Sequence, residues 1–377
     1  MISVLVLTSI TDSAPVSAAA LEHAHFLDHA PADRVRVEYA NFTATTLVAP
    51  QWLTYDVVLL DASLLRWRGT PSFQQLMQRL EWLMAYQGIV AAMPDEEHRF
   101  AHVLEEVLLC LRTKIVFTGT KPVQRPFVYP HLQRRAYFTE AQAVYVHPAR
   151  LAEAQQIARP GDQRNIDLTY RAQLEPYWLG TLGHQRTQLA VDSPRRLQHT
   201  GLRLDIAVGS DETSDACMAR VAASRAMLGA DGGSSVLDRR GEMEAHVQAL
   251  LSEQPDLAFA DADTALGHDL SRHRFAALDF ATIAAVMTRT AMVLVEGTAA
   301  GVLTPHTHYI PVSPDLSNLE AAVDALRDSA RVAHMTEQAY TDVVLSGRLG
   351  YERLASQFLD VADVFVTARA KALAQAA

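Results

Sequence analysis

Short, nearly continuous apolar runs alternate along the chain with segments whose apolar residues recur at helical spacing. Runs at 2–7, 35–39, 56–60, 89–92 and 114–117 have the character of parallel strands buried on both faces. Helical periodicity fills 15–28, 72–86 and 96–112 between them, so the first half reads as one Rossmann-like βα unit. From 118 to 164 the pattern loosens, with Pro122, Pro126, Pro130 and Pro148 punctuating connecting and closing structure. The Arg159-Pro-Gly-Asp162 turn then marks a boundary, and alternation resumes with strands at 166–170, 202–208, 291–295 and 309–312. Helices are predicted at 183–192, in a segment ending near Met227, at 242–252 and at 276–288, then at 316–328, 330–345 and 351–373. The expected fold class is therefore α/β, with two Rossmann-like domains.

The length of 377 residues is ample for two domains of about 150 residues each. Hydrophobic residues at 49% and charged residues at 20% are the balance of a globular protein with full cores. A net charge of −10 gives no general positive field, so neither nucleic acid nor anionic lipid is an expected partner, and an anionic ligand requires local arginines. Cys110 and Cys217 are too few for a disulfide framework and have no CxxC spacing, which fits a reducing, cytoplasmic setting. No apolar run reaches the 18 or so residues of a membrane span, and the apolar start lacks a basic leader, so it reads as a first strand.

Three segments carry candidate chemistry. In the first, Gly232, Gly233, Ser234 and Ser235 follow a predicted helix, where bare backbone amides and two hydroxyls suit a phosphate or a sugar ring, with Arg225 near enough in sequence to offset a diphosphate. The same residues also fit a plain surface turn. In the second, a buried strand ends in Glu296 and Gly297, at the carboxyl edge where open α/β sheets bind ligands; a turn carboxylate is the plainer alternative. His306 and His308 alternate nearby, but no third ligand stands close in sequence, so no metal is expected. In the third, Asp95 and His98 follow the strand at 89–92, as candidates to contact or deprotonate an acceptor hydroxyl, while Glu96 and Glu97 read as helix N-terminal carboxylates. His25 and His29 are four apart without the glutamate of a zinc-protease motif, and with His23 they read as solvated or partly packed side chains. No phosphate loop, nucleophile elbow or kinase signature is present.

In order, Tyr55-Asp-Val-Val-Leu-Leu60, Pro94-Asp-Glu-Glu-His98, Ile166-Asp-Leu-Thr-Tyr-Arg171, Pro176-Tyr-Trp-Leu-Gly-Thr-Leu-Gly183 and Gly201-Leu-Arg-Leu-Asp-Ile206 resemble a bacterial glycosyltransferase of the CgeB-like type. The resemblance continues through Leu228-Gly-Ala-Asp-Gly-Gly-Ser-Ser235, Asp238 to Glu242, Glu296-Gly297, His308-Tyr-Ile-Pro311 and Leu316-Ser-Asn318. It implies the two-domain GT-B fold, with an N-terminal acceptor domain over 1–162, a C-terminal donor domain over 163–348, and a helix over 349–377 crossing back to the first domain. It further implies an interdomain cleft and metal-independent transfer of a sugar from a nucleoside-diphosphate donor to a hydroxyl-bearing acceptor, a glycan precursor or a secondary metabolite. No cofactor is implied, the nucleotide sugar being the substrate. Asp95 and His98 are then the catalytic candidates. Tyr170, Arg171, Arg225, Gly232, Gly233, Ser234, Ser235, Glu242, Glu296, Gly297, His308 and Tyr309 are the donor-binding candidates. The chain departs from the family pattern at Ala284, where a ribose-holding glutamate is expected, at Ser313-Pro314 in place of a lysine pair, and at Asp231 in place of glutamate. Those departures motivate a second reading, a non-catalytic GT-B subunit that binds a nucleotide sugar or a partner enzyme. A nucleotide-sugar epimerase on the same architecture is a third.

Overall fold

Strand β1 (Ile2–Thr8) lies inside a sheet whose two faces are both covered, and Val4, Leu5, Val6 and Leu7 have no solvent exposure. That double burial is why its apolar pattern is continuous rather than alternating. The computed structural model describes residues 1–10, 22–41, 54–209, 212–297 and 301–376. Much of the helix expected at 15–28 falls outside the described residues; its described end is a 3-10 turn at Phe26–His29.

The chain divides into two compact units. The first comprises Met1–Gln142, Leu237–Glu242 and Tyr351–Ala377, and the second Ala143–Val236 and Met243–Gly350. The first holds a six-stranded, all-parallel sheet in the order β2-β1-β3-β4-β5-β6. Its other strands are β2 (Val35–Asn41), β3 (Val57–Leu60), β4 (Ile89–Ala92), β5 (Ile115–Thr118) and β6 (Tyr137–Glu140). Helices α1 (Pro71–Arg79) and α2 (Ala101–Cys110) accompany it. The helix expected over 96–112 thus begins only at Ala101, because residues 94–100 form a loop and Phe100 caps the helix in a left-handed conformation.

The second unit begins with α3 (Pro148–Ile157) and carries a five-stranded parallel sheet in the order β13-β12-β9-β7-β8. Its strands are β7 (Ile166–Ala172), β8 (Leu204–Val208), β9 (Ser224–Gly229), β12 (Ala291–Val295) and β13 (Ile310–Val312). Between β9 and β12 an antiparallel ribbon pairs β10 (Gly232–Ser234) with β11 (Phe275–Ala277). The helices are α4 (Gly180–Leu197), α5 (Ser214–Ala222), α6 (Glu242–Glu253), α7 (Phe259–Ala265), α8 (Phe280–Thr288), α9 (Leu319–Asp324) and α10 (Ser329–Tyr340).

Two expected helices are corrected here. The segment read as helix up to Met227 ends at Ala222, and Ser224–Gly229 is the central strand β9, buried except at Arg225. The helix expected from Ala276 starts at Phe280, its first turn capped by Asp279, whose side chain accepts from the Thr282 amide at 2.7 Å. The region read as loose structure before 164 contains strand β6 and helix α3. The helix packs on α5 and α8 of the second unit.

The final helix, α11 (Tyr351–Ala376), belongs to the first unit. Phe358 is fully buried there, 5.7 Å from the Phe26 ring and 5.4 Å from Phe117 between centroids. Among the described residues no helix is long and apolar enough to cross a membrane.

Candidate functional site

In the second sheet the chain leaves β7 to one side for β8 and returns on the other side for β9, so the topological switch point lies between β7 and β9. Ligands of open α/β sheets settle outside the carboxyl ends of the strands at such a point. A cavity of about 310 Å³ occupies this place, lined among others by Arg171, Glu175, Arg186, Arg220, Gly232 and Asp279.

Each arginine of the cavity is fixed by a carboxylate or by main-chain carbonyls. Arg171 donates to the Asp205 carboxylate and, at 2.7 Å, to the Asp205 carbonyl. Arg220 grips Glu212 with two parallel bonds of 2.7 and 2.6 Å, the bidentate geometry that fixes a guanidinium plane. Arg186, from α4, pairs with Glu175 at 2.8 Å and donates to the Asp231 and Gly233 carbonyls at 2.9 and 3.1 Å. The charges therefore offset one another locally. Tyr170 is buried at the wall, and burial pushes its phenol up; its hydroxyl donates to the Arg186 carbonyl at 3.3 Å.

Beside the cavity, at the carboxyl edges of β9 and β12, Arg274 pairs with the buried carboxylate of Asp231 at 2.8 Å while keeping much of its own surface in water. Gly297 stands against this guanidinium: a Cβ there would lie 2.8 Å from Arg274 Nη2, and its φ of +127° is one that side-chain-bearing residues rarely adopt. Glycine at 297 thus leaves room for the exposed Arg274 side chain against the end of β12. Glu296 is exposed at the same edge.

Of the donor candidates, Tyr170, Arg171 and Gly232 line the cavity, and Glu296 and Gly297 sit at the adjoining strand end. The others are placed differently. Ser234 and Ser235 are buried, and their hydroxyls donate to main-chain carbonyls, Ser234 to Leu179 at 3.1 Å and Ser235 to Leu270 at 2.7 Å, so they hold the fold rather than facing a ligand. Gly233, at φ +84°, faces the Phe275 carbonyl. Arg225 lies near the amino end of β9, the opposite end of the sheet, where it pairs with Asp167 at 3.4 Å. Glu242 is exposed and belongs by its contacts to the first unit, accepting from the Arg240 amide at 2.7 Å. His308 and Tyr309 are buried in the loop before β13. Arg186 and Arg274, which the sequence reading passed over, carry no local motif and are brought in by tertiary folding alone.

In the first unit, Asp95 stands beyond the carboxyl end of β4. Arg66 fixes one carboxylate oxygen of Asp95, with its Nε at 3.0 Å, and the other oxygen is buried without a hydrogen-bond partner among the described residues. Asp61, which follows β3, and Asp95 both raise the pKa of His23, against the larger lowering effect of burial. His23, expected to be solvated or partly packed, lies near the rings of Phe26 and Tyr351, at 6.5 and 6.1 Å between ring centroids. His98 is buried, and its carbonyl accepts from the Asp238 amide at 2.8 Å. Glu97 does not serve a helix end. Its buried carboxylate accepts from the Thr118 hydroxyl at 2.6 Å, the Gly119 amide at 2.9 Å, the Thr120 amide at 3.2 Å and the Tyr129 hydroxyl. Burial pushes this carboxyl up, and those donors pull it partly back. Among the described residues no group of three or more histidine, cysteine or acidic side chains is arranged to hold a metal.

No protein-family model matches the chain, and no curated protein sequence matches it. Solved structures do. A β-glucosyltransferase described as a DNA-modifying enzyme, determined in the presence and absence of uridine diphosphoglucose, aligns with TM-score 0.56 at 9% identity over 96% of this chain and 99% of its own. An α-glucosyltransferase bound to UDP and a 13-mer DNA aligns with TM-score 0.53 at 10% identity, again over 96% and 99%. Anabaena HepE in complex with UDP and glucose aligns with TM-score 0.50 at 10% identity over 97% and 100%. With its two parallel sheets, the chain has the two-domain α/β fold of the GT-B glycosyltransferases.

Proposed function

We propose that this protein is a glycosyltransferase of the CgeB-like type, taking a nucleoside-diphosphate sugar at the carboxyl edge of the second sheet and passing the sugar to a hydroxyl-bearing acceptor. The observation that carries this reading is the arginine-lined cavity at the β7/β9 switch point, with Arg274 and Gly297 at the adjoining strand ends. In the reaction the acceptor oxygen bonds to the anomeric carbon, and that carbon's bond to the diphosphate breaks with its electron pair leaving on the diphosphate. The hydroxyl proton passes to a base. Arg274, with Arg186 behind it, offsets the charge growing on the leaving group. Asp95, which takes a hydrogen bond from Arg66, is assigned with His98 to the acceptor side. The donor diphosphate is neutralised by side chains rather than by a cation, so turnover is expected to survive EDTA. The net charge of −10 supports an acceptor other than nucleic acid.

The test is release of nucleoside diphosphate from UDP-, GDP-, ADP- and dTDP-sugars, with and without sugar and polyol acceptors. Release from one donor class supports transfer. Binding without release supports the second reading, a non-catalytic nucleotide-sugar-binding subunit. One feature favours that second reading: Ala284, where the resemblance calls for a ribose-holding glutamate, is fully buried within α8 and offers no carboxylate.

A further inference from the structure

The net charge of −10 argues against anionic partners in general, but the charge is unevenly spread. Between Val107 and Thr139 the chain carries six lysines and arginines and no aspartate or glutamate. The all-parallel first sheet sorts those six. Lys121 and Arg125 come after β5, from its carboxyl end, and both are engaged: Lys121 pairs with Glu140 at 2.6 Å, and the Arg125 guanidinium lies over the Phe138 ring, 5.4 Å from its centroid. Arg112 and Lys114 precede β5, while Arg134 and Arg135 precede β6, its neighbour in the sheet, so these four stand at the amino edge. The Tyr137 amide donates to the Lys114 carbonyl at 2.8 Å, which sets the two strand starts side by side. All four side chains are exposed, and among the described residues none has an ion pair.

Helix α11 adds to the same edge. Gln357 donates to the Thr139 hydroxyl at 2.7 Å, whereas the Phe365 ring lies 6.2 Å from that of Tyr137 between centroids, so the helix runs against the strands and its last turns pass the amino edge. Those turns carry Arg369 and Lys371, and from Val364 onward there is no acid. Tyr137 and Leu373 stand among these cations, and Met84 lies just before β4; each is more than half exposed. The acids Asp56 and Glu81 precede β3 and β4, and Asp56 is taken up by the Ser3 amide and hydroxyl at 2.9 and 2.7 Å.

We propose that the amino edge of the first sheet, at β4 to β6, docks on an anionic lipid bilayer. The cations meet the headgroup charges, and Tyr137, Leu373 and Met84 enter the headgroup region. Cations interleaved with exposed apolar side chains suit an interface that offers negative charge and an apolar interior together. A nucleic acid would reward the cations but not the leucine or the methionine. The carboxyl edge, where Asp95 stands, is the opposite end of the same sheet, so docking leaves it open. The surface does not depend on the donor site.

The experiment is sedimentation of the full chain with vesicles of phosphatidylcholine alone and of two parts phosphatidylcholine to one part phosphatidylglycerol, across a range of salt. Wild type should bind the mixed vesicles, less as salt rises, and should not bind phosphatidylcholine alone. Arg134→Glu with Arg135→Glu should weaken binding about twentyfold or more, since each cation near such a surface contributes about fivefold. Leu373→Gln should weaken it about fivefold. Arg195→Glu with Arg331→Glu, the same charge change at exposed positions of the second unit, should leave it unchanged. Failure of wild type to bind the mixed vesicles overturns the proposal whether or not any variant folds. So does an equal loss in the two charge-reversed pairs, and so does tighter binding of a short DNA duplex than of the mixed vesicles at the same salt.

Discussion

At the residue scale, Glu97 and Phe358 show how differently a buried side chain can serve the first unit. Glu97 is a carboxylate that four donors surround, tying the loop after β4 to the residues after β5. Glu97→Ala leaves the Gly119 amide and the buried Tyr129 hydroxyl without this acceptor, while the Thr120 amide keeps the Thr118 hydroxyl at 2.9 Å. The expected loss is about 3 kcal/mol, measured by denaturant unfolding, since each buried unsatisfied polar group costs about 1–3 kcal/mol. Glu97→Gln keeps an acceptor and should cost less. The two proteins also differ with pH. Burial raises the native carboxyl above its unfolded value, so the native state binds the proton more tightly. The stability this gives is complete below the unfolded value of about 4.3 and is lost as pH rises through the native value. Stability of the wild type should accordingly fall relative to Glu97→Gln as pH rises above about 4.3, and parallel pH profiles for the two would contradict the assignment. Phe358 contributes by packing alone, and Phe358→Ala should cost about 3–5 kcal/mol.

At the level of elements, the β10–β11 ribbon depends on one glycine. A Cβ at Gly233 would lie 1.9 Å from the Phe275 carbonyl oxygen at a φ of +84°, so Gly233→Ala must open the ribbon that supplies Gly232 to the cavity wall. Lower stability together with loss of nucleotide binding is expected, read by calorimetry. In α5, burial pushes the Cys217 thiol up to about 12, whereas Cys110 at the end of α2 is exposed. A maleimide at pH 8 should label Cys110 and spare Cys217 in the folded protein. The elements also show which parts of the fold were legible beforehand. Strands β1, β3, β4, β5 and β12 were readable because double burial writes an unbroken apolar run. Strand β9 was not, because Ala222-Ala-Ser-Arg-Ala-Met227 continues α5 in residues that favour helix, and only the sheet around it makes it a strand. Strand β6 lies at the edge with exposed ends and lacks the apolar signature altogether.

At the scale of the whole molecule, each unit builds its candidate site from strand ends far apart in sequence. The segment at 232–235, expected as a turn, is mostly strand β10 and brings only Gly232 to the cavity, while Glu296 and Gly297 stand at the end of β12 as their sequence position suggested. Arg186 and Arg274 were not legible beforehand, since what makes them site residues is contact with Asp231 from elsewhere in the chain. Arg225 shows the converse: close in sequence to the turn, it is carried by β9 to the far end of the sheet. The path of α11 has a consequence of its own. Because Leu354, Ala355, Phe358 and Leu359 are buried within the first unit, a chain ending at Gly350 should lose the cooperative unfolding of that unit.

The central claim is that the carboxyl edge of the second sheet binds a nucleoside diphosphate with Arg274 as its exposed cation. Thermal unfolding of wild type and Arg274→Ala against UDP, GDP, ADP and dTDP tests it most directly, because a ligand at 100 times its dissociation constant stabilises the native state by about 2.7 kcal/mol. The predicted result is a raised midpoint with one base, reduced or abolished in Arg274→Ala although the unliganded variant still melts cooperatively. No shift with any nucleotide in wild type, or an equal shift in Arg274→Ala, would contradict the account.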